Sequence, residues 1–228
     1  MNLADEYRPR VWGDLVGQNH IRAVVDRLRA RRGLHGRAFV ICGKSRKPKP
    51  GAKATEGGAK SGTGKTTVAM LIAYEVANGQ YIRELGAGDL TAAKLLDEER
   101  DMRYVPIKGD GHVRIVNEFH RLTPGATAQL LDILERLSPI VTWIFTSTVD
   151  TDCWARESCD KAAFFSRCLP LRLTTQGLAI PFAKRLREIA TTEGLNGRPE
   201  SAYVSLVNRC RGNFREALQA IEAGEMLA

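Results

Sequence analysis

Ser61-Gly62-Thr63-Gly64-Lys65-Thr66-Thr67 is the stretch on which the reading of this chain turns. Gly62 and Gly64 lack a Cβ, so consecutive backbone N–H groups there can curl round an anion. The run Gly64-Lys65-Thr66 closes the phosphate-holding pattern G-x-x-x-x-G-K-[ST]. That pattern asks for a glycine five residues before Gly64, and the position holds Ala59. A better first half lies upstream, at Gly43-Lys44, directly after the apolar run Ala38-Phe39-Val40-Ile41-Cys42. Removal of residues 45–60 leaves Cys42-Gly43-Lys44-Ser61-Gly62-Thr63-Gly64-Lys65-Thr66, an unbroken phosphate loop behind a strand. The chain therefore reads as a nucleotide site with a 16-residue insertion inside its own loop. Cutting 46–61 instead gives the same spliced sequence, so the edges are defined only to within one residue.

The residue types match the chemistry. Lys65 is placed to reach the β- and γ-phosphates of a nucleotide, and the Thr66 hydroxyl to hold Mg²⁺. Ala69, Leu71, Ile72 and Ala73 continue as a helix whose positive N-terminal end faces the phosphates. The insertion carries five basic residues (Arg46, Lys47, Lys49, Lys53, Lys60) against Glu56 alone, and reads as a flexible basic excursion rich in Gly, Pro and Lys. It accounts for about half of the chain's net charge of +8. A regulatory loop, a DNA-touching arm and a neutral graft all fit it.

The 228 residues, 43% hydrophobic, suffice for one large domain or two small ones with a packed core. Met1 to Pro9 is charged rather than signal-like, and no apolar run is long enough to cross a bilayer, so the expected location is cytoplasmic and no membrane partner is expected. Five cysteines (42, 153, 159, 168, 210) lack zinc-site spacing and read as reduced, mostly buried thiols. The basic balance suits a nucleic-acid partner.

Along the chain, Ile21, Val24, Val25 and Leu28 mark a helix ending near Gly33, and Ala38 to Cys42 a buried strand. The helix from Lys65 stops at Asn78-Gly79, and the polar stretch Tyr81 to Tyr104 is expected to be mostly helical. Val113 to Val116, Ile140 to Phe145 and Leu169 to Leu173 read as strands. Thr123-Pro124 is an N-cap with proline in the first turn, ahead of a stripe of Leu130, Leu131, Leu134 and Leu137. From Gln176 the pattern is helical only. Strands alternating with helices predict an α/β fold, a parallel sheet with helices on both faces, followed by a small helical domain. The predicted division is residues 1–174 and 175–228.

Tyr7-Arg8-Pro9, Val16-Gly17-Gln18, the phosphate loop, Asn117-Glu118-Phe119-His120, Ser166-Arg167-Cys168 and Gly212-Asn213-Phe214-Arg215-Glu216-Ala217-Leu218 follow one another in order. Together they make the chain resemble the AAA+ ATPase subunits of DNA-polymerase clamp loaders: the bacterial DNA polymerase III gamma/tau subunit and the small subunits of replication factor C. The similarity spans roughly residues 4 to 224, and Ser166-Arg167-Cys168 is its most specific part. It implies a P-loop AAA+ domain with a helical lid, and a ring or spiral of subunits that binds ATP with Mg²⁺ at their interfaces. The implied work is to open a sliding clamp and place it on primer–template DNA. The family's third, collar domain has no counterpart before Ala228, so a hetero- or homo-oligomer when functional and a monomer in isolation are both compatible with the sequence.

The resemblance also assigns roles. Glu118 takes the position of the general base that polarises the attacking water, and Thr148 that of the sensor hydroxyl that orients it, with Ser147 as a weaker alternative. Arg167 matches the arginine finger given to a neighbouring subunit's γ-phosphate, and Arg215 the second sensor, reaching its own subunit's phosphates. Tyr7, Arg8, Pro9 and Val16 resemble the segment around adenine. Gly43, Gly62, Thr63, Gly64, Lys65, Thr66 and Thr67 make the phosphate loop, while Thr66 and Asn117 are the metal-side residues. The family has Asp where this chain has Asn117, and a neutral amide implies weaker metal binding and slower hydrolysis. Two alternatives to an active ATPase stay open: a non-hydrolysing subunit that lends Arg167 to a neighbour, and an adaptor that uses the fold for protein or DNA contact alone. The cluster Arg27, Arg29, Arg31, Arg32 and Arg37 reads as a solvated basic face or a phosphate contact. The excess length between Thr148 and Ser166 has no functional reading.

Overall fold

The first strand, β1 (Ala38–Gly43), is buried along its whole length, and its side chains divide between two cores. Ala38, Val40 and Cys42 face one side of the sheet and Phe39 and Ile41 the other, the period-2 alternation of a strand covered on both faces. The strands β2 (Ile82–Gly86), β3 (His112–Asn117), β4 (Val141–Thr146) and β5 (Leu169–Leu173) complete a five-stranded sheet in the order β2-β3-β4-β1-β5. Every neighbouring pair is parallel. The computed structural model describes residues 2–43, 62–107, 111–149, 151–174 and 176–227. The insertion read at 45–60 and Thr175, at the expected domain boundary, lie outside these described residues.

On one face lie helices α2 (Asn19–Arg32) and α3 (Lys65–Val76). Ile21 and Val25 from the first and Val68, Ala69, Ile72 and Val76 from the second pack on Phe39, Ile41, Ile115 and Ile144. The other face is covered by α4 (Ala92–Asp101), α5 (Pro124–Glu135), α6 (Thr151–Ala155) and α7 (Cys159–Ser166). Its centre is aromatic: Phe119 meets Trp154 edge-on at 4.9 Å, and Phe145 meets Phe164 edge-on at 4.8 Å. The segment without a functional reading thus supplies two core side chains, Trp154 and Phe164. Caps follow their sequence signals. Thr123 Oγ1 accepts from the Ala126 N–H at 3.2 Å to start α5, and Gly33 ends α2 at φ 73°.

Helices α8 (Ala179–Thr192), α9 (Glu200–Arg209) and α10 (Phe214–Glu222) build a third core around Leu186, Tyr203, Leu206 and Ile221. Leu3, from the short helix α1 (Leu3–Glu6), is buried in it, so the N-terminal segment packs with the last three helices. One expectation is corrected. Residues 82–86, read within a mostly helical stretch, form the edge strand β2. Its mixed exposure and its charged Arg83 and Glu84 break the continuous apolar run that marks the inner strands. Among the described residues no helix is long and apolar enough to cross a membrane.

Candidate active site

Because the sheet is parallel, the C-terminal ends of β1, β3 and β4 come to one edge, where α/β sheets hold their ligands. A cavity of about 300 Å³ lies there. One wall is the loop entering α3. Gly62 (φ 76°) and Gly64 (φ 90°) both sit in left-handed backbone, and Gly64 is the N-cap of α3. Thr63, Lys65, Thr66 and Thr67 line the same cavity, at the end of α3 where the helix dipole is positive. Lys65 is 7% exposed and donates to Thr63 Oγ1 at 3.3 Å. Burial pushes its ammonium pKa down, while the charges of Glu118 and Cys42 act in the opposite direction.

The floor comes from the ends of β3 and β4. Glu118, just past β3, adopts φ 56°, ψ 47°, a conformation a non-glycine residue holds only when its surroundings impose it. The Thr148 hydroxyl donates to Glu118 Oε2 at 2.6 Å. His120 Nδ1 lies 3.3 Å from that same oxygen and 3.1 Å from Ser147 Oγ. Burial lowers the His120 pKa, with Glu118 opposing and Arg121 reinforcing the shift. Asn117 is tied at both ends: its Nδ2 donates to Glu84 Oε2 at 2.9 Å, and its Oδ1 accepts from Thr146 Oγ1 at 2.9 Å.

Tyr7, Arg8, Pro9 and Val16 line the far end of the cavity, with Asp14 and Leu15. The Tyr7 hydroxyl donates to Glu193 Oε1 at 2.5 Å, at the end of α8. Gly17 and Gln18 fix this segment. A Cβ on Gly17 would meet Leu178 Cδ2 at 2.2 Å, while buried Gln18 bonds the Thr174 carbonyl at 2.9 Å and the Thr174 N–H at 3.1 Å. The roof is helical: Phe182 and Phe214 meet edge-on at 5.0 Å, and Arg185 and Arg215 line the cavity beside them. Loop and roof touch directly, since the Phe214 N–H donates to the Gly62 carbonyl at 3.3 Å.

Of the residues selected from sequence, Tyr7, Arg8, Pro9, Val16, Gly62, Thr63, Gly64, Lys65, Thr66, Thr67, Asn117, Glu118, Thr148 and Arg215 line this one cavity. Gly43 and Arg167 do not line it. Gly43 ends β1 opposite Leu173. Arg167, at the end of α7, donates to the Ala163 carbonyl at 2.9 Å and pairs with Glu135. Arg185, Thr146, His120 and Glu84 were missed as site residues. His120 stood in a quoted motif without a role, and the other three carry no local signal, because strand register and helix packing bring them in. Within the basic cluster, Arg29 is engaged by Glu75 at 2.6 Å and Asp26 at 2.5 Å, and Arg37 by the Gly33 carbonyl at 3.0 Å.

Among the described residues no group of three or more His, Cys, Asp or Glu could cage a metal ion. The oxygens at hand, from Thr66, Asn117 and Glu118, suit a magnesium ion that keeps most of its shell as water and phosphate.

No protein-family profile matches the chain. It is 25% identical over 243 residues to the DNA polymerase III gamma/tau subunit of Mycoplasma pneumoniae, covering 96% of this chain and 32% of that protein. To the DNA polymerase III tau subunit of Escherichia coli it is 25% identical over 252 residues, covering 98% of this chain and 35% of the other. The chain thus spans about a third of the length of these relatives. Among solved structures, the RuvB Holliday junction branch migration motor of Thermotoga maritima superposes with a TM-score of 0.67 at 17% identity, over 95% of this chain and 64% of that one. The expected α/β P-loop fold is the observed one, and in sequence the chain is clamp-loader-like.

Proposed function

We infer that this AAA+, clamp-loader-like chain binds ATP with Mg²⁺ in the cavity and hydrolyses it as one subunit of an assembly that loads a sliding clamp onto primer–template DNA. The observation that carries the reading is the meeting, in one cavity, of loop Gly62–Thr67, Asn117, Glu118, Thr148 and Arg215, which lie far apart in sequence. The likeness to DNA polymerase III subunits supplies the clamp, the DNA and the companion subunits as proposed partners.

In this reading the amides around Gly64 and the Lys65 ammonium hold the phosphates, and Arg215 reaches them from the helical roof. Thr66 and Asn117 hold the cation, directly and through water. Bound Mg²⁺ would neutralise phosphate charge. Glu118 accepts the proton of an attacking water, and the Thr148 hydroxyl fixes which carboxylate oxygen remains to do so. Arg167, outside its own cavity, serves a neighbouring subunit, where a cation meets charge that develops in the transition state.

Asn117 favours a second reading, a subunit that binds ATP with little turnover. Its neutral amide brings no charge to a cation, and one lone pair of its oxygen is already taken by Thr146.

Calorimetry with ATP and Mg²⁺ tests the site, on the whole chain, on a Lys65→Ala variant and on a chain lacking residues 45–60. The reading expects binding that Lys65→Ala abolishes. Binding indifferent to Lys65 would leave only an adaptor. Binding confined to the shortened chain would favour a non-hydrolysing subunit whose own site is dead and which lends Arg167 to a neighbour. Turnover by the isolated chain, or turnover in mixtures that Glu118→Gln lowers, supports the first reading; turnover only in mixtures, lost with Arg167→Ala but indifferent to Glu118→Gln, supports the second.

A further inference from the structure

The apolar face of the sheet under α3 gives way to polar side chains towards its C-terminal edge, in a staggered order: Glu84 lies opposite Ile115, and Asn117 opposite Gly86. Ile82, Ile115 and Ile144 all face α3 from β2, β3 and β4. Two residues further along each strand, side chains of the same facing are Glu84, Asn117 and Thr146. They form one chain of hydrogen bonds across three strands: the Thr146 hydroxyl donates to Asn117 Oδ1, and Asn117 Nδ2 donates to Glu84 Oε2, each at 2.9 Å. Asn117 and Thr146 line the cavity, whereas Glu84 stands behind them on the edge strand.

A carboxylate only accepts, so it settles which end of the amide faces it. Turned the other way, Asn117 would set its carbonyl oxygen against the Glu84 carboxylate. Glu84 thereby directs Oδ1 towards the cavity side, where a second lone pair remains beside the Thr146 hydroxyl. An anion at the far end of an amide also polarises it and makes its oxygen a stronger acceptor.

We infer that Glu84 is a positioning residue for the metal side of this site: it orients and polarises Asn117, so that the amide oxygen serves water bound to the cation in place of an aspartate. The inference rests on the nucleotide reading above and adds to it a residue from the edge strand.

The experiment measures ATPγS affinity by calorimetry with Mg²⁺ and with EDTA, for wild type, Glu84→Gln, Glu84→Ala, Asn117→Ala and the Glu84→Ala/Asn117→Ala pair. Removal of the positioning charge should cut the tightening due to Mg²⁺ by about fivefold, with the EDTA affinity unchanged. In the pair, Glu84→Ala should add nothing to the loss that Asn117→Ala causes alone. In nucleotide-free, metal-free protein, the side-chain NH₂ resonance of Asn117 should move in Glu84→Ala, which reads the contact without any ligand. An unmoved resonance, an unchanged Mg²⁺ effect, or equal losses with and without Mg²⁺ would each overturn the inference. Wild type that binds no ATPγS under either condition would instead sink the nucleotide reading.

Discussion

The Thr148 hydroxyl donates to Glu118 Oε2 at 2.6 Å, joining the second residue past β4 to the first past β3 across the cavity floor. Glu118 holds a left-handed backbone to reach that position, so the contact constrains a side chain whose main chain is already strained.

Replacing Thr148 by Val keeps the shape and removes the donor. Turnover is expected to fall by about tenfold to a hundredfold, since one orienting hydrogen bond is lost while the base remains. ATP affinity should stay within about twofold. Steady-state kinetics beside calorimetry separates the two, and equal losses in both would mean that Thr148 shapes the pocket only.

Gly62 has no room for a side chain. A Cβ there would sit 1.7 Å from Asn213 Oδ1, at a φ of 76°. Gly62→Ala should cost roughly 1–3 kcal/mol and lift the start of α10 off the loop. Asn213 also caps α10 by accepting from the Glu216 N–H at 3.3 Å, and an Asn213→Gly cap should cost only a few tenths of a kcal/mol. The double variant should therefore be more stable than the sum of the two single changes, a non-additivity that thermal melts resolve.

His120 gives the apo protein a defined response to acid. Its pKa is lowered by burial, so the unfolded chain takes up a proton at a higher pH than the native one. The corresponding stability is fully present above the ordinary histidine range and is lost as pH falls through the lowered native value. His120→Gln should narrow the gap in melting temperature between pH 7 and pH 5. A gap as wide as in wild type would show that other groups carry it.

Asn117→Asp tests the charge balance of the floor. With Glu84 bonded to that side chain at 2.9 Å, a second carboxylate meets a like charge. The metal-free variant should melt lower by about 2–4 °C, as a loss near 1 kcal/mol does in a chain of this size. Mg²⁺ with nucleotide should then stabilise it by more than it stabilises wild type. An unchanged apo melting temperature would place the new carboxylate away from Glu84.

Most of the sheet was legible because its inner strands are buried on both faces, which forces continuous apolar runs such as Ala38 to Cys42 and Val141 to Phe145. β2 was not legible, since this edge strand only half-buries Ile82 and Leu85, one on each face, and exposes Arg83 and Glu84 between them. In the site, glycines and motif residues announced themselves through backbone demands and local spacing. Arg185 and Thr146 reach the cavity through helix packing and strand register, and neither leaves a mark on neighbouring residues. Gln18 stood in a recognised motif, but its two bonds to Thr174 span 156 positions and have no local trace.

Leu3 in the third core, Tyr7 on Glu193 and Gln18 on Thr174 fasten residues 2–18 to the helical bundle and to the strap that leads into it. The same segment is also tied to the sheet, through the Trp12 indole on Glu75 and through Leu15 in the core under α3, so it bridges the bundle and the sheet. A fluorophore attached at Asn2, read against one on an exposed position of the sheet such as Arg83, would report rotation of the bundle directly. A protease nick within that leading segment would loosen the roof over the cavity while leaving the sheet unbroken.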